Sequence, residues 1–194
     1  MAKNLLYQFD TDEVASVFDS VVAYDGGADH VTGIANVTSD NVSPMVDGCI
    51  YTRGPKDKQN TAIFVGGSSL SAGELVFEAV KKRFFSGFRV SVMLDSNGAN
   101  TTAAAAVANI VNVCNVKGKK AIILGGTGPV GQRAAALLAG EGASVFITSR
   151  SVEKASNTAG LIKNRFKVEC GALAGGSDLE RRTALEGASI VVST

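Results

Sequence analysis

The chain has 194 residues, of which 45% are apolar and 19% are charged, a composition typical of a globular protein. The formal net charge is +1, which excludes the basic surface of a nucleic-acid-binding protein and the cationic face of a membrane-binding one. Three widely spaced cysteines in apolar segments favour reduced thiols, and a single histidine argues against a protein zinc site. We therefore expect no metal.

We expect no secretion signal at the amino terminus, because residues 1–4 are followed by only a short apolar run without a small-residue cleavage site. No later segment reaches the roughly 18 uninterrupted apolar residues of a membrane-spanning helix. The sequence therefore predicts a cytoplasmic protein.

Short β-branched runs alternate with helix-length segments along the chain, a pattern typical of parallel α/β sheets. The predicted strands are Leu5–Phe9, His30–Val37, Thr61–Val65, Arg89–Leu94, Lys120–Leu124, Ser144–Thr148, Phe166–Cys170 and Ile190–Ser193. Two of the intervening helices have apolar residues at helical spacing, which predicts that these faces lie in the core. They are Val14, Val17, Phe18, Val21 and Val22 in the first helix, after Asp12 and Glu13, and Leu70, Gly73, Phe77, Val80 and Phe84 in the third.

A domain boundary is predicted near Asn115–Lys119, where the alanine-rich helix Thr101–Val113 gives way to a short polar stretch. The two predicted α/β domains are residues 1–116, which would bind the substrate, and residues 117–194, a Rossmann dinucleotide-binding domain. The second contains only four predicted strands, whereas a full domain of this kind has two βαβαβ halves. We therefore expect the second domain to be incomplete and the chain to be part of a longer protein.

A glycine-rich segment joins the strand Lys120–Leu124 to the next helix with the spacing G-x-G-x-x-G. In dinucleotide-binding loops the first glycine permits a tight turn, the second lets the backbone approach the pyrophosphate, and the third lets the helix pack close to the strand. A purely structural turn is the alternative. The residues predicted to bind the cofactor here are Gly126, Thr127, Gly128, Pro129, Val130 and Gly131.

The end of the following strand indicates which dinucleotide is bound. NAD enzymes usually have an acidic residue there for the ribose 2′-hydroxyl, whereas this chain has Ser149, Arg150 and Ser151, with Lys154 beyond them. Hydroxyl groups and a guanidinium can hydrogen-bond a 2′-phosphate that a carboxylate would repel. The sequence therefore predicts that these four residues bind NADP, and solvated charges at a helix start are the alternative.

Small and polar residues fill the segment Leu94–Ala106, which follows a strand of the first domain. Ligands bind at such strand ends in α/β sheets, and this segment offers donors and acceptors to a polar heterocycle. A helix N-cap with turn residues explains the same composition. The residues predicted to bind the substrate here are Ser96, Asn97, Thr101 and Thr102.

Seven segments distributed along the chain closely resemble one enzyme family, in the same order. They are Leu5–Asp12, Ser16–Asp19, Tyr24–Gly33, Tyr51–Gly54, Thr61–Gly67, Leu94–Gly98 and Gly125–Gly131. The family is the NADP-dependent methylene-tetrahydromethanopterin dehydrogenase of methylotrophic bacteria, and the resemblance covers essentially the whole chain. Members of that family are longer, which agrees with the incomplete second domain.

The resemblance implies oxidation of methylene-tetrahydromethanopterin to the methenyl form with NADP in one-carbon metabolism, with methylene-tetrahydrofolate as a second substrate. The expected partner is a small tetrahydropterin, and we also expect a homo-oligomer. Loss of a hydride leaves a delocalised amidinium cation, so the step needs positioning and a favourable electrostatic environment. We assign Asp19 and Asp95 to stabilisation of that charge. His30 either contacts the substrate or caps a strand.

Other functions share part of this pattern. A short-chain dehydrogenase needs a Tyr-x-x-x-Lys pair after the glycine loop, and no tyrosine follows Tyr51. A two-domain NADP enzyme of the shikimate dehydrogenase type has the same domain order. A non-catalytic NADP-binding module, or a fragment that is inactive by itself, is the third alternative.

Overall fold

The structure is a computed structural model that describes residues 2–194. The chain forms two compact units, of which the first ends at Gly98 and the second is Ala99–Thr194. Each unit is built on a four-stranded sheet whose paired strands are all parallel. The predicted α/β class with two parallel sheets is confirmed.

The first unit alternates strands and helices up to Gly98. Its elements are β1 (Leu5–Asp10), α1 (Val17–Asp25), β2 (His30–Ile34), α2 (Ser43–Tyr51), α3 (Pro55–Lys58), β3 (Thr61–Gly66), α4 (Leu70–Arg83), β4 (Ser91–Leu94) and a 3-10 helix at Ser96–Gly98. The strand order is β2-β1-β3-β4. Since the strands are parallel, their carboxyl ends meet at one edge of the sheet, and the order reverses between β1 and β3.

The core of the first unit lies between this sheet and helices α2 and α4. Phe9, Ile63 and Val65 are buried on the strands, and Ile50 and Val80 are buried on the two helices. The apolar face predicted for α4 is confirmed for four of its five members, because Gly73 and Val80 are buried and Phe77 and Phe84 pack against this core. Leu70, at the start of the helix, is half-buried.

The apolar face predicted for α1 faces solvent instead, so its predicted core role is wrong. Val17 and Phe18 are 74% and 75% exposed. The helix contacts the sheet through its polar side, where the Ser20 hydroxyl donates a hydrogen bond of 2.8 Å to the Gln8 side-chain carbonyl. Periodicity identifies an apolar face, but it does not decide which way that face points.

The second unit begins with the alanine-rich helix. Its elements are α5 (Ala99–Val113), β5 (Lys120–Leu124), α6 (Pro129–Gly140), β6 (Ser144–Ser149), α7 (Val152–Phe166), β7 (Gly171–Ala174), α8 (Asp178–Leu185) and β8 (Ile190–Ser193). The strand order is β7-β6-β5-β8. Its core includes Val107 of α5, Ile123 of β5 and Leu138 of α6. Because α5 packs into this core, the units meet at Gly98, earlier than the boundary near 116 expected from composition.

The strand predicted at Phe166–Cys170 is wrong. Phe166 is the last residue of α7 and packs against the core. Lys167 follows as the C-cap of the helix, with a left-handed backbone at φ 59°. The strand follows at Gly171–Ala174, where Gly171 lies opposite Phe146 in the sheet register. A Cβ at Gly171 would lie 2.3 Å from the Phe146 ring, so glycine is needed at this position. Glycine has a low strand propensity, which is why the sequence did not indicate a strand here.

The three cysteines are free thiols, as the sequence predicts. Burial raises the pKa of Cys49 to about 12 and also raises the pKa of Cys170, so both stay protonated at neutral pH. None of the helices within residues 2–194 combines the length and hydrophobicity needed to cross a bilayer.

Replacing Gly171 with alanine should destabilise the second unit, since the new methyl group collides with the Phe146 ring. Overpacking of this kind costs about 1–3 kcal/mol, measurable as a lower urea midpoint. Gly160→Ala is the matched control, because nothing lies within 4 Å of a Cβ at this position on α7. The control should be neutral or slightly stabilising in a helix, and equal midpoints for the two variants would contradict the packing at Gly171.

Candidate functional site

The glycine-rich loop connects β5 to α6 at the carboxyl edge of the second sheet. Gly125 has a φ of 70°, a left-handed conformation that glycine adopts without strain. Gly128 is the N-cap of α6 and Pro129 is its first residue, where a missing N–H removes no helical hydrogen bond. The Gln132 side chain donates to the Thr127 carbonyl at 2.8 Å. The loop is therefore fixed by its own hydrogen bonds, with the amino end of α6 at the sheet edge.

Two of the three glycines are required by packing within the chain. A Cβ at Gly126 would lie 2.9 Å from the Ile147 Cβ, and a Cβ at Gly131 would lie 2.7 Å from the Gly126 Cα. Real side chains do not tolerate such distances, so the helix can approach the strand this closely only with glycine at both positions. The role of Gly131 agrees with the sequence analysis, whereas Gly126 is required by packing against Ile147 and not by the tight turn expected of it, since the left-handed residue is Gly125.

Gly128 is different, because nothing in the chain lies within 4 Å of a Cβ placed there. Its φ of −80° is accessible to any residue. Neither packing nor backbone conformation therefore requires glycine at this position. Close approach of a pyrophosphate to the backbone does require it, and the amino-terminal amides of the 12-residue helix α6 favour an anion. The loop fits the dinucleotide that the sequence predicts.

The loop also lies where the strand order of the second sheet reverses, since β5 separates β6 from β8. Thr194, directly after β8, donates its backbone N–H to the Leu124 carbonyl at 3.1 Å. Its hydroxyl oxygen would lie 2.8 Å from a Cβ at Gly131. Ligands in open α/β sheets bind at such a switch point, and Thr194 is a neighbour of the loop that the motif alone does not reveal.

Arg133 is a second residue that the sequence analysis did not single out. Its side chain is only 4% exposed. The guanidinium donates to the Pro129 carbonyl at 3.3 Å and to the side-chain oxygen of Asn100 on α5. Arg133 thereby links α5 to the first turn of α6, which directly follows the glycine-rich loop. The sequence signal for this residue was an arginine among the apolar, inward-facing positions of the helix, where a charged side chain is unusual.

The predicted 2′-phosphate residues extend from Ser149, the last residue of β6, to Lys154 in the first turn of α7. Ser151 is the N-cap of α7 and accepts a hydrogen bond of 3.2 Å from the Lys154 backbone N–H. The Ser149 hydroxyl accepts a longer one, 3.4 Å, from the Ser151 N–H. Arg150 and Lys154 are exposed, and within residues 2–194 neither side chain forms a hydrogen bond or an ion pair. The two cations therefore remain available to a ligand, while Ser151 has a capping role.

Two further glycines, Gly175 and Gly176, allow the loop after β7 to pack against the backbone at Ser149 and Arg150. The Gly175 N–H donates to the Ser149 carbonyl at 3.0 Å, and a Cβ at Gly176 would lie 3.1 Å from the Arg150 carbonyl oxygen. The loop after β7 thus packs directly against the end of β6. The sequence Gly175-Gly176-Ser177 before a helix was the available signal for this second glycine turn.

At the carboxyl edge of the first sheet, Asp10 ends β1 and is only 1% exposed. Its carboxylate accepts hydrogen bonds from the Gln8 side chain at 3.3 Å and from the backbone N–H groups of Asp12 and Ser16 at 3.0 and 2.9 Å. The sequence analysis missed Asp10, although an acid directly after a buried strand was a signal for it.

Asp19 lies beside Asp10, since both carboxylates would be within 4 Å of a Cβ at Gly66. Burial is the main cause of a raised Asp19 pKa, the Ser16 hydrogen bond opposes it, and the charges of Asp10 and Asp95 raise it further. Asp10 and Asp19 therefore lie beside the point where the strand order reverses, and Asp95 follows the outer strand β4 at the same edge, near enough for its charge to act on Asp19.

Two predicted substrate residues are not exposed at this edge. His30 is the first residue of β2, at the amino edge of the sheet and opposite to the acids, and its ring contacts the Lys3 ammonium at 3.1 Å. Ser96 is fully buried and donates to the Gly66 carbonyl at 3.0 Å. The structure favours the strand-end role for His30 and a structural role for Ser96 over substrate contact.

The other predicted substrate residues are exposed. Asn97 has a left-handed backbone at φ 56°, and its N–H donates to the Gly67 carbonyl at 2.8 Å, so it lies at the same edge as Asp95. Thr101 and Thr102 are on α5 and belong to the second unit. Substrate contact by these three residues remains a prediction.

Replacing Asp95 with asparagine should lower the pKa of Asp19, because it removes one negative charge that opposes ionisation there. The check is a pH titration of the Asp19 carboxyl carbon by NMR, with Asp25→Asn on the same helix as the charge-matched control. The pKa of Asp19 is higher in the folded protein than its ordinary value of 3.8. Ionisation of Asp19 therefore lowers the free energy of unfolding as the pH rises from 3.8 through the folded-state pKa. Asp19→Asn should therefore unfold at higher urea than the parent at neutral pH; an unchanged Asp19 titration in the Asp95 variant would rule out the coupling.

Comparisons with known proteins point in one direction. A family model described as methylene-tetrahydromethanopterin dehydrogenase, N-terminal, matches residues 17–97. The chain is 62% identical over 193 residues to the bifunctional protein MdtA of Methylorubrum extorquens, which covers 98% of this chain and 67% of that protein. It is 31% identical over 200 residues to the NAD(P)-dependent methylenetetrahydromethanopterin dehydrogenase of the same organism, covering 100% of this chain and 67% of that protein.

Among solved structures, the ligand-free 5-ketofructose reductase of Gluconobacter sp. strain CHM43 is similar with a TM-score of 0.53 and 17% identity, covering 100% of this chain and 69% of that one. This likeness supports the fold alone. The two sequence relatives match the chain over 98% and 100% of its length, at 62% and 31% identity, which confirms the resemblance found in the sequence. The chain belongs to the methylene-tetrahydromethanopterin dehydrogenase family.

Proposed function

We propose that the protein transfers a hydride from methylene-tetrahydromethanopterin to NADP and releases the methenyl form, with methylene-tetrahydrofolate as a second substrate. The observation that carries the proposal is Gly128, a glycine that no contact within the chain requires. The family of the chain supplies the reaction class. When bound, NADP supplies a nicotinamide carbon that accepts the hydride.

The second unit is assigned the dinucleotide. The open backbone at Gly128 and the amino-terminal amides of α6 hold the pyrophosphate, while Gly126 and Gly131 keep the helix close to the strand. Arg150 and Lys154 supply positive charge at the end of β6, where no carboxylate would repel a 2′-phosphate. These features favour NADP over NAD.

The first unit is assigned the pterin. Loss of a hydride from a carbon between two nitrogens produces a cation, so negative charge near that carbon lowers the barrier without any proton transfer. Asp19 and Asp95 provide this charge, and the buried Asp10 carboxylate adds to the same field. Asn97 offers an amide to the heterocycle at the same edge. Association into a homo-oligomer is part of the proposal and is tested by light scattering.

The decisive experiment follows methenyl-pterin absorbance after the protein is mixed with NADP and either methylene-pterin. The parent should produce the methenyl form, and Gly128→Ala should bind NADP at least about tenfold more weakly because the new methyl group occupies the pyrophosphate position. The urea midpoint of this variant should fall only slightly, because the methyl group meets no protein atom and the remaining cost is the preference of an N-cap for glycine over alanine. NADP binding without methenyl formation would favour a non-catalytic module, and turnover of shikimate alone would favour the shikimate dehydrogenase type.

Arg150→Asp should reverse the preference for NADP. Loss of a charge-assisted hydrogen bond and gain of a repelling carboxylate should weaken NADP binding at least about tenfold, with little effect on NAD. Calorimetric titration of both dinucleotides measures the ratio. Arg182→Asp makes the same charge change at another exposed position of this unit and should leave the ratio unaltered. If the ratio of the Arg150 variant equals that of the control, another group recognises the phosphate.

A further inference from the structure

A cavity of about 410 Å³ lies at the amino edge of the first sheet, between α3 and the segment leading into β4. It is lined by Pro55, Lys58, Gln59, Gly87, Arg89, Val90 and Ser91. Since β3 and β4 are parallel and begin here, this cavity is at the opposite edge from Asp10 and Asp95. Its volume is within the range of small-molecule pockets, about 300–1,000 Å³. It is therefore separate from the acidic edge to which the pterin is assigned.

Lys58 is the unusual group in this cavity, because its side chain is only 9% exposed. Its ammonium donates to the Gly87 carbonyl at 3.3 Å and lies 4.4 Å from the centre of the Phe88 ring. Within residues 2–194 it forms no ion pair. Buried lysines are rare unless an acid neutralises them, because removing the charge from water is costly. A bound anion would supply the missing counter-charge.

The other charged residue that lines the cavity, Arg89, is also positively charged. Arg89 is exposed, and its side chain makes no hydrogen bond or ion pair with any residue from 2 to 194, while Ser91 adds a hydroxyl. No lining residue is acidic. Two cations without an acid match a dianion better than a single carboxylate, and a phosphate monoester carries about −1.5 to −2 charges at neutral pH. Pro55 and Val90 offer apolar surface beside the two cations.

We propose that this cavity binds the phosphate group of a small phosphorylated molecule, with Lys58 and Arg89 as its charged ligands. Arg89 contributes the planar donor pair that suits phosphate oxygens, and Lys58 contributes a fixed point charge held against the Phe88 ring. The site is independent of the NADP assignment, because every group in it belongs to the first unit.

The test is a titration of the protein with inorganic phosphate at constant ionic strength, followed through the backbone amide resonances of Gly87, Val90 and Ser91. These resonances should shift and saturate. Lys58→Met, which keeps the length of the apolar stem, and Arg89→Gln should each raise the phosphate Kd at least about tenfold, as expected for a lost charge-assisted hydrogen bond.

Two control variants separate this site from other phosphate binding. Lys82→Met removes a charge from the exposed face of α4, and Arg150→Gln removes the predicted phosphate ligand of the second unit; both should leave the phosphate Kd at Gly87 unaltered. The proposal is overturned if these amides show no saturable shift, or if Arg89→Gln titrates like the parent. Arg89 is exposed, so this variant decides the outcome even if Lys58→Met does not fold.

Discussion

The feature on which the second unit depends is a close backbone contact with no room for side chains. Gly126 packs against Ile147 and Gly131 packs against Gly126, which brings the start of α6 directly over the end of β5. This approach aims the amino-terminal amides of the helix at the carboxyl edge of a parallel sheet. The anion-binding role proposed for the loop is therefore a consequence of packing, and Gly128 is the only member of the motif that the proposed ligand explains instead.

The two units share a sheet architecture but present opposite charge at their carboxyl edges. In the second unit the edge carries helix amides and the cations Arg150 and Lys154, which suit a polyanionic cofactor. In the first unit the corresponding edge carries Asp10, Asp19 and Asp95, which suit a ligand that becomes positively charged. A dehydrogenase that converts a neutral methylene carbon into an amidinium cation needs both environments, and the alternating βα pattern supplies each by the same geometric rule.

The glycine loop and most strands were predictable because they rest on local rules. The spacing of the glycines and the length of the preceding strand can both be recognised from consecutive residues around Gly126 and Gly131. What failed depends on long-range contacts. The strand Gly171–Ala174 begins with a glycine because the Phe146 ring leaves no room for a side chain at Gly171. The apolar face of α1 was predicted to lie in the core, whereas it is exposed. His30 was placed by resemblance alone, whereas strand direction puts it at the far edge. Asp10 was overlooked because its burial depends on the fold, although its hydrogen bonds come from nearby residues of the chain such as Gln8 and Ser16.

Helix α1 is anchored in an unusual way, with its apolar residues facing solvent and polar bonds such as Ser20 to Gln8 facing the sheet. It is also the one α-helix of the described chain that contains no buried residue. Such an element opens locally at a lower free-energy cost than the helices around it, and its amides exchange with solvent before those of α4. Asp19 is carried on this helix, so its distance from Asp10 and Asp95 varies with each opening. The strength of the negative field at this edge is thereby linked to the local stability of α1.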